Sequence, residues 1–71
     1  SDMLHSYIVE LKYAKSKDTD AHVEQLRQDA IRQVVRYAES EVVTSAIKTT
    51  QLHKIIVVYK GTEMVVCEEV E

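Results

Sequence analysis

The chain has 71 residues, of which 45% are hydrophobic and 30% are charged, and its formal net charge is −3. These values are typical of one small folded domain and exclude an intrinsically disordered segment, while the negative charge counts against non-specific binding to nucleic acid. No apolar run approaches the roughly 18 residues of a membrane span, and no basic segment precedes an apolar one, so we expect neither insertion nor secretion but a cytoplasmic protein.

The first predicted element is a β-strand over residues 4–13, a segment rich in β-branched and aromatic side chains. Because successive side chains of a strand alternate between its two faces, Ile8, Glu10 and Lys12 share one face. Glu10 and Lys12 are therefore expected to be neighbours. The other face carries the remaining large apolar side chains, Tyr7, Val9, Leu11 and Tyr13.

A long amphipathic helix is predicted from residue 20 to about residue 39, after a polar loop in which Asp18 or Thr19 can cap it. Its apolar positions recur every three or four residues, at Val23, Leu26, Ala30, Val34 and Ala38. Gln33 and Tyr37 are four residues apart, so they lie on the same side of this helix.

A second, shorter helix is predicted from Glu41 to about Lys48, after Ser40. Residues 52–59 are apolar on both faces, which is the pattern of a central strand that is covered on two sides. Gly61 is the only glycine and marks a hairpin turn, after which residues 63–68 are predicted to return as a strand.

The order of these elements predicts an α/β fold in which residues 1–71 form a single partial domain. A strand, a long helix and a second strand imply a right-handed parallel crossover, and the hairpin adds an antiparallel neighbour. The result is a β-α-β-β unit with a mixed three-stranded sheet and one long helix. Such a unit leaves one sheet face uncovered and an edge unpaired, so we expect self-association, as a homodimer.

Simpler interpretations of the polar residues remain open at this point. Glu10 and Lys12 could be a surface ion pair worth less than about 1 kcal/mol. Gln33 could be a polar helix residue, and Tyr37 could cover the sheet edge.

Cys67, the only cysteine, is predicted to be a buried small apolar residue. No metal-ligand spacing relates the three histidines, which we expect to be exposed or at an edge: His5, His22 and His53.

The order of the motifs resembles the PD-(D/E)XK nuclease superfamily over nearly the whole chain. The segment YIVELK at residues 7–12 is similar to the family strand that bears an acid-x-Lys motif. The segment QVVRY at residues 33–37 resembles the Gln-x-x-x-Tyr helix motif of one branch. The likeness is greatest to the C-terminal nuclease-like region of bacterial proteins that also carry an N-terminal ATPase-like domain.

This resemblance implies a fragment of a restriction-endonuclease-like core that belongs to a metal-dependent nuclease domain. DNA is the expected substrate of the intact protein, and an ATPase-like domain is an expected partner. Glu10 would be a ligand of Mg²⁺ or Mn²⁺, together with the backbone carbonyl of Leu11. Lys12 would orient or help deprotonate the attacking water and offset charge on the phosphate. Gln33 would reach the same site, and Tyr37 would support it from one turn away.

One departure from the family pattern concerns a second acidic residue. The family carries this residue, usually Asp, on the strand that precedes the acid-x-Lys strand, and the chain begins after such a strand. Asp2 cannot replace it, because an extended segment places it about 25 Å from Glu10. We therefore expect the isolated chain to bind metal weakly, if at all, and to be inactive. The alternative is a degenerate, non-catalytic module retained for dimerisation or for partner binding.

Overall fold

The computed structural model describes residues 3–71, so Asp2 lies outside the described part. The elements are β1 (His5–Ala14), α1 (Asp20–Ala38), α2 (Glu41–Ile47), β2 (Gln51–Lys60) and β3 (Glu63–Val70). Strand β2 is central, parallel to β1 and antiparallel to β3. The predicted β-α-β-β unit with a mixed sheet is confirmed, and α2 adds a short second helix. No helix in residues 3–71 combines the length and the apolar character needed to cross a membrane.

Side-chain caps determine where the two helices begin. Thr19 is the N-cap of α1, since its hydroxyl accepts a 3.1 Å hydrogen bond from the backbone N–H of His22. Asp18, the other candidate, accepts a backbone hydrogen bond inside the preceding loop instead. Ser40 caps α2 in the same way, by accepting from the N–H of Val43. A cap of this kind stabilises a helix by about 1 kcal/mol.

The hairpin between β2 and β3 depends on its glycine. Gly61 has a φ of 61°, a conformation that favours glycine over other residues. A Cβ atom at this position would lie only 3.2 Å from the Cβ of Ser16. The N–H of Gly61 also donates to the carbonyl of Ala14 at 2.9 Å. The predicted turn is therefore confirmed, and it packs against the loop that follows β1.

The hydrophobic core lies between α1 and one face of the sheet. Ala30 and Val34 of α1 are fully buried against Ile56 of β2, and Val58 is fully buried as well. The prediction of one uncovered sheet face is confirmed, because α1 packs on one face while the aromatic and aliphatic side chains of β1 on the other face are exposed. The central strand is nevertheless shielded on both sides, since Val57 of β2 is only 8% exposed on the face without a helix. This second face is called the open face here.

The strand register identifies the members of the open face. They are His5, Tyr7, Val9, Leu11 and Tyr13 of β1, then His53, Ile55, Val57 and Tyr59 of β2, then Met64, Cys67 and Glu69 of β3. The apolar side chains from β1 on this face are 41–68% exposed. Cys67 is exposed too, so the prediction that it is buried is wrong. Its alternation with the covered residue Val66 places it on the uncovered side.

An ion pair joins α1 to β3. The guanidinium of Arg27 donates from Nε to Glu68 Oε2 at 2.9 Å and from Nη2 to Glu68 Oε1 at 2.9 Å. It also donates from Nη1 to Glu24. The hydrogen bonds from Arg27 lower the pKa of the Glu68 carboxyl below its ordinary value, and they raise the pKa of Arg27.

Replacement of Glu68 by Gln should lower the melting temperature at pH 7. In acid, the melting temperatures of the variant and the wild type should become more similar. The pKa of Glu68 is lower in the folded chain than in the unfolded chain. Its contribution to stability is therefore present above the unfolded pKa, ordinarily about 4.3, and is lost as the pH falls through the lower folded pKa. Thermal melts by circular dichroism between pH 7 and pH 3 measure this effect.

The matched control is Glu63→Gln, since Glu63 is exposed at the start of β3 and forms no ion pair within residues 3–71. This variant should keep the wild-type pH dependence. If the difference in melting temperature between Glu68→Gln and the wild type were the same at every pH, the lowered pKa of Glu68 would be contradicted.

Candidate active site

Three of the predicted site residues meet on the helix-covered face of the sheet. The Lys12 ammonium donates a 3.0 Å hydrogen bond to the side-chain carbonyl of Gln33. It also lies 3.7 Å from Glu10 Oε2. The side chains of Lys12 and Glu10 are 22% and 29% exposed, so the group lies at the rim of the core and in contact with solvent.

Two independent features of the fold create this cluster. Strand alternation places Glu10 and Lys12 side by side on β1, under the helix. Helix α1 then spans the sheet, because Arg27 contacts β3 while Gln33 contacts β1. Val34, next to Gln33, is fully buried and holds this part of the helix against the sheet. The side-chain amide of Gln33 therefore lies on the same side of the sheet as Glu10 and Lys12.

The cluster leaves Lys12 with hydrogen-bonding capacity. An ammonium has three donors. One of them is used by Gln33, and a second points to Glu10 at a distance longer than a short hydrogen bond. Because both charges are partly exposed, their attraction is worth less than about 1 kcal/mol. Lys12 is therefore oriented by its neighbours and can still donate to an anionic oxygen such as that of a phosphate.

The backbone carbonyl of Leu11 faces the unpaired edge of the sheet. The carbonyls of Leu4 and Ala14 accept 2.9 Å hydrogen bonds from the first residue of β2 and from the turn that follows β2. Carbonyls of alternate residues in a strand point to opposite edges, so the carbonyl of Leu11 points away from β2. The side chain of Leu11 lies on the open face. The backbone carbonyl oxygen of Leu11 is thus accessible at the edge of β1, and Leu11 directly follows Glu10 in the sequence.

Tyr37 is not joined to the cluster by a hydrogen bond. Its side chain is 53% exposed, one turn after Gln33 on α1. Within residues 3–71 its hydroxyl has no hydrogen-bond partner, whereas Gln33 contacts Lys12 directly. The structure therefore brings together Glu10, Lys12 and Gln33, and it leaves Tyr37 beside them on the helix surface.

The donors at this site do not complete a divalent-metal site. They comprise one carboxylate, from Glu10, and one carbonyl, from Leu11. In the described part of the chain no three side chains of the His, Cys, Asp or Glu type are grouped to hold an ion. Mg²⁺ is generally held by one or two carboxylates in near-octahedral oxygen geometry, and the nearby Lys12 ammonium opposes a second positive charge. A complete divalent-metal site would need a further carboxylate, and the free edge of β1 has room for one.

A second polar cluster, which local sequence patterns do not predict, lies on the open face. His5 and His53 are 48 residues apart in the sequence, yet their rings are hydrogen-bonded, and Glu69 contacts His53. Only the register between β1 and β2 brings these rings together. No local spacing in the sequence signals that register.

The comparisons with known proteins identify a family. The family model of the PD-(D/E)XK nuclease superfamily matches residues 1–69. No curated protein and no solved structure matches the chain. The matched region contains both the strand that carries Glu10 and Lys12 and the helix that carries Gln33.

Mn²⁺ should bind this chain weakly and at Glu10. One carboxylate with one carbonyl supplies too few charged oxygens for tight binding, so an apparent Kd of about 1 mM or weaker is expected. Paramagnetic broadening of the amide resonances of residues 10–12 by Mn²⁺ measures this binding. Glu10→Gln should abolish the broadening, and Glu63→Gln should leave it unchanged. Equal broadening in the Glu10→Gln variant would show that the ion binds elsewhere.

Proposed function

This chain belongs to the PD-(D/E)XK nuclease superfamily, and we propose that it supplies the acid-lysine strand and the glutamine helix of a metal-dependent nuclease-like domain. The proposed reaction is hydrolysis of phosphodiester bonds, with DNA as the substrate. The observation that carries the proposal is the contact of Lys12 with Gln33 beside Glu10, on one face of the sheet. The amide could equally have lain on the far side of the sheet, and the catalytic interpretation would then have failed.

Lys12 is the residue to which we assign charge stabilisation. Phosphodiester hydrolysis builds negative charge on the phosphate oxygens, and a compact ammonium close to that charge lowers the barrier. The hydrogen bond to Gln33 restricts the long lysine side chain before substrate arrives, so less entropy is lost on binding. Gln33 is then a positioning residue that acts through Lys12.

Glu10 and the Leu11 carbonyl are the oxygens that we assign to a metal ion. Nucleases of this superfamily typically use divalent metals. The donor set within the described residues is incomplete, so we propose that the chain alone is inactive. Activity would require a further acidic residue on a strand paired with the free edge of β1, where the Leu11 carbonyl is accessible. For the intact protein we propose nucleic acid and an N-terminal ATPase-like domain as partners.

Cleavage assays with two forms of the protein test this function. A form extended at its N-terminus by an Asp-bearing strand should cleave DNA in the presence of Mg²⁺ or Mn²⁺, while the chain of 71 residues should not. In the extended form Lys12→Ala should lower kcat by at least about a hundredfold, the usual cost of losing one transition-state donor. Gln33→Ala should lower kcat by a smaller factor and leave KM nearly unchanged.

Lys54→Ala is the matched control for Lys12→Ala, because Lys54 lies on β2 outside the cluster and its loss should leave kcat unchanged. A well-folded extended protein that is inactive with several metals and substrates would refute the nuclease proposal.

The open face supports a second candidate, a non-catalytic module that dimerises. Its most exposed apolar side chains are Tyr7, Val9, Leu11, Tyr13 and Met64. These five side chains are 41–68% exposed and lie on one face of the sheet, and an exposed apolar patch of this kind is typical of an interaction surface. A second copy of the chain offers the same apolar surface, and two such faces can stack as a β-sandwich about a two-fold axis.

Light scattering at micromolar protein concentration tests the dimer. The wild-type chain should have the mass of a dimer, and Val9→Lys should give a monomer because it buries a charge in the interface. Val42→Lys is the control, since Val42 is 73% exposed on α2 and lies outside the open face. A sharp monomeric mass for the wild-type chain would contradict this candidate.

A further inference from the structure

Three polar side chains form a continuous row of hydrogen bonds across one end of the open face. His5 Nδ1 of β1 lies 2.8 Å from His53 Nε2 of β2. His53 Nδ1 lies 2.8 Å from Glu69 Oε2 of β3. The ring of Tyr7 stacks on the ring of His53, with centroids 4.9 Å apart and an interplanar angle of 17°. All three strands therefore hold the His53 ring in one orientation.

The Glu69 carboxylate constrains the protonation of the His53 ring. A carboxylate only accepts, so His53 carries a proton on Nδ1 and donates it to Glu69. When His53 is neutral, its Nε2 is a lone pair, and His5 then donates its Nδ1 proton to that nitrogen. Two ring nitrogens from neighbouring strands thus face each other across a single proton.

We propose that His5 Nδ1 and His53 Nε2 bind a divalent transition-metal ion, of which Zn²⁺ is the representative. Zinc–nitrogen bonds of about 2.0–2.1 Å at a tetrahedral angle separate two ligand nitrogens by about 3.3 Å. The observed separation is 2.8 Å, so the two nitrogens must part by about half an ångström. Because they now face each other across the shared proton, the His5 ring must also turn until both lone pairs converge on the ion. His5 is exposed, which leaves its ring free to make this movement.

Binding requires no net loss of a proton. His53 keeps its Nδ1 proton on Glu69, and its Nε2 lone pair becomes a ligand. His5 releases its proton from Nδ1 and takes one from solvent on Nε2, which frees Nδ1 as the second ligand. Water molecules complete the coordination, because Glu69 binds the Nδ1 proton of His53 on the other side of that ring and no group of three such side chains in residues 3–71 is arranged to hold an ion.

The chemistry of the site selects the ion. Imidazole nitrogens favour Zn²⁺, Ni²⁺ and Cu²⁺, whereas Mg²⁺ prefers oxygen ligands. Glu69 behind His53 is the carboxylate that commonly orients a metal-bound histidine and increases its basicity. This site lies on the opposite sheet face from Glu10 and Lys12, so it is separate from the proposed nuclease chemistry.

Calorimetric titration of the full 71-residue chain with Zn²⁺ tests the site. A Cys67→Ser background removes the exposed thiol, the other soft ligand on the open face. One ion per chain should bind, and an excess of Mg²⁺ should not displace it. His5→Gln should weaken binding by at least tenfold, and Glu69→Gln should weaken it by about tenfold or more, the usual effect of losing such a carboxylate.

Two variants serve as controls. His22→Gln should bind as the wild type does, since His22 lies on α1 and pairs with Asp18. Glu10→Gln should also bind Zn²⁺ normally, which separates this site from the one at Glu10. His5 is exposed, so His5→Gln should fold, and its circular dichroism spectrum verifies this. Unchanged Zn²⁺ affinity in folded His5→Gln, or an equal loss in His22→Gln, would overturn the proposal.

Discussion

The packing of α1 against one face of a three-stranded sheet is the constraint on which the other features depend. The buried contact of Ala30 and Val34 with Ile56 sets the height and direction of the helix over the sheet. Once this contact forms, every second side chain of β1 must lie beneath the helix. Glu10 and Lys12 occupy such positions near the rim, where the helix flank provides Gln33 and solvent remains accessible.

The ion pair of Arg27 with Glu68 differs from the contacts of Lys12 with Glu10 and Gln33, and donor geometry explains the difference. Arg27 donates hydrogen bonds from its planar guanidinium to both carboxylate oxygens of Glu68. With the bond to Glu24, all three guanidinium nitrogens are engaged, and the bonds to Glu68 lower the pKa of the Glu68 carboxyl. Such a pair fixes the helix to β3. Lys12 has one full hydrogen bond and one longer contact, so it keeps a donor for another molecule. The first arrangement fixes two elements to each other, and the second leaves a hydrogen-bond donor free.

The open face follows from the same constraint, because one layer of helix covers only one side of a sheet. It presents an apolar surface at its centre and a polar row, formed by His5, His53 and Glu69, at one end. The cluster of Glu10, Lys12 and Gln33 and the proposed zinc site are therefore on opposite faces of the sheet. A change at one of them is expected to leave the other intact.

The sequence by itself determined the elements of this protein and the neighbours within each element. Helix periodicity and the turn at Gly61 are local, and so is the alternation that places Glu10 beside Lys12. All of these appear in the structure as predicted, and of the two cap candidates before the long helix the structure selects Thr19. The motifs at residues 7–12 and 33–37 also led to the correct superfamily.

Only the tertiary structure decided which residues from different elements meet. The contact between Lys12 and Gln33, the exposure of Cys67 and the pairing of His5 with His53 depend on helix placement and strand register. Register and placement arise from the packing of the whole core, to which each residue contributes a little. Local sequence patterns carry the period of an element but not its position against its neighbours, so they predict none of these contacts. Only the resemblance to the superfamily implied that Gln33 would reach the site of Glu10 and Lys12.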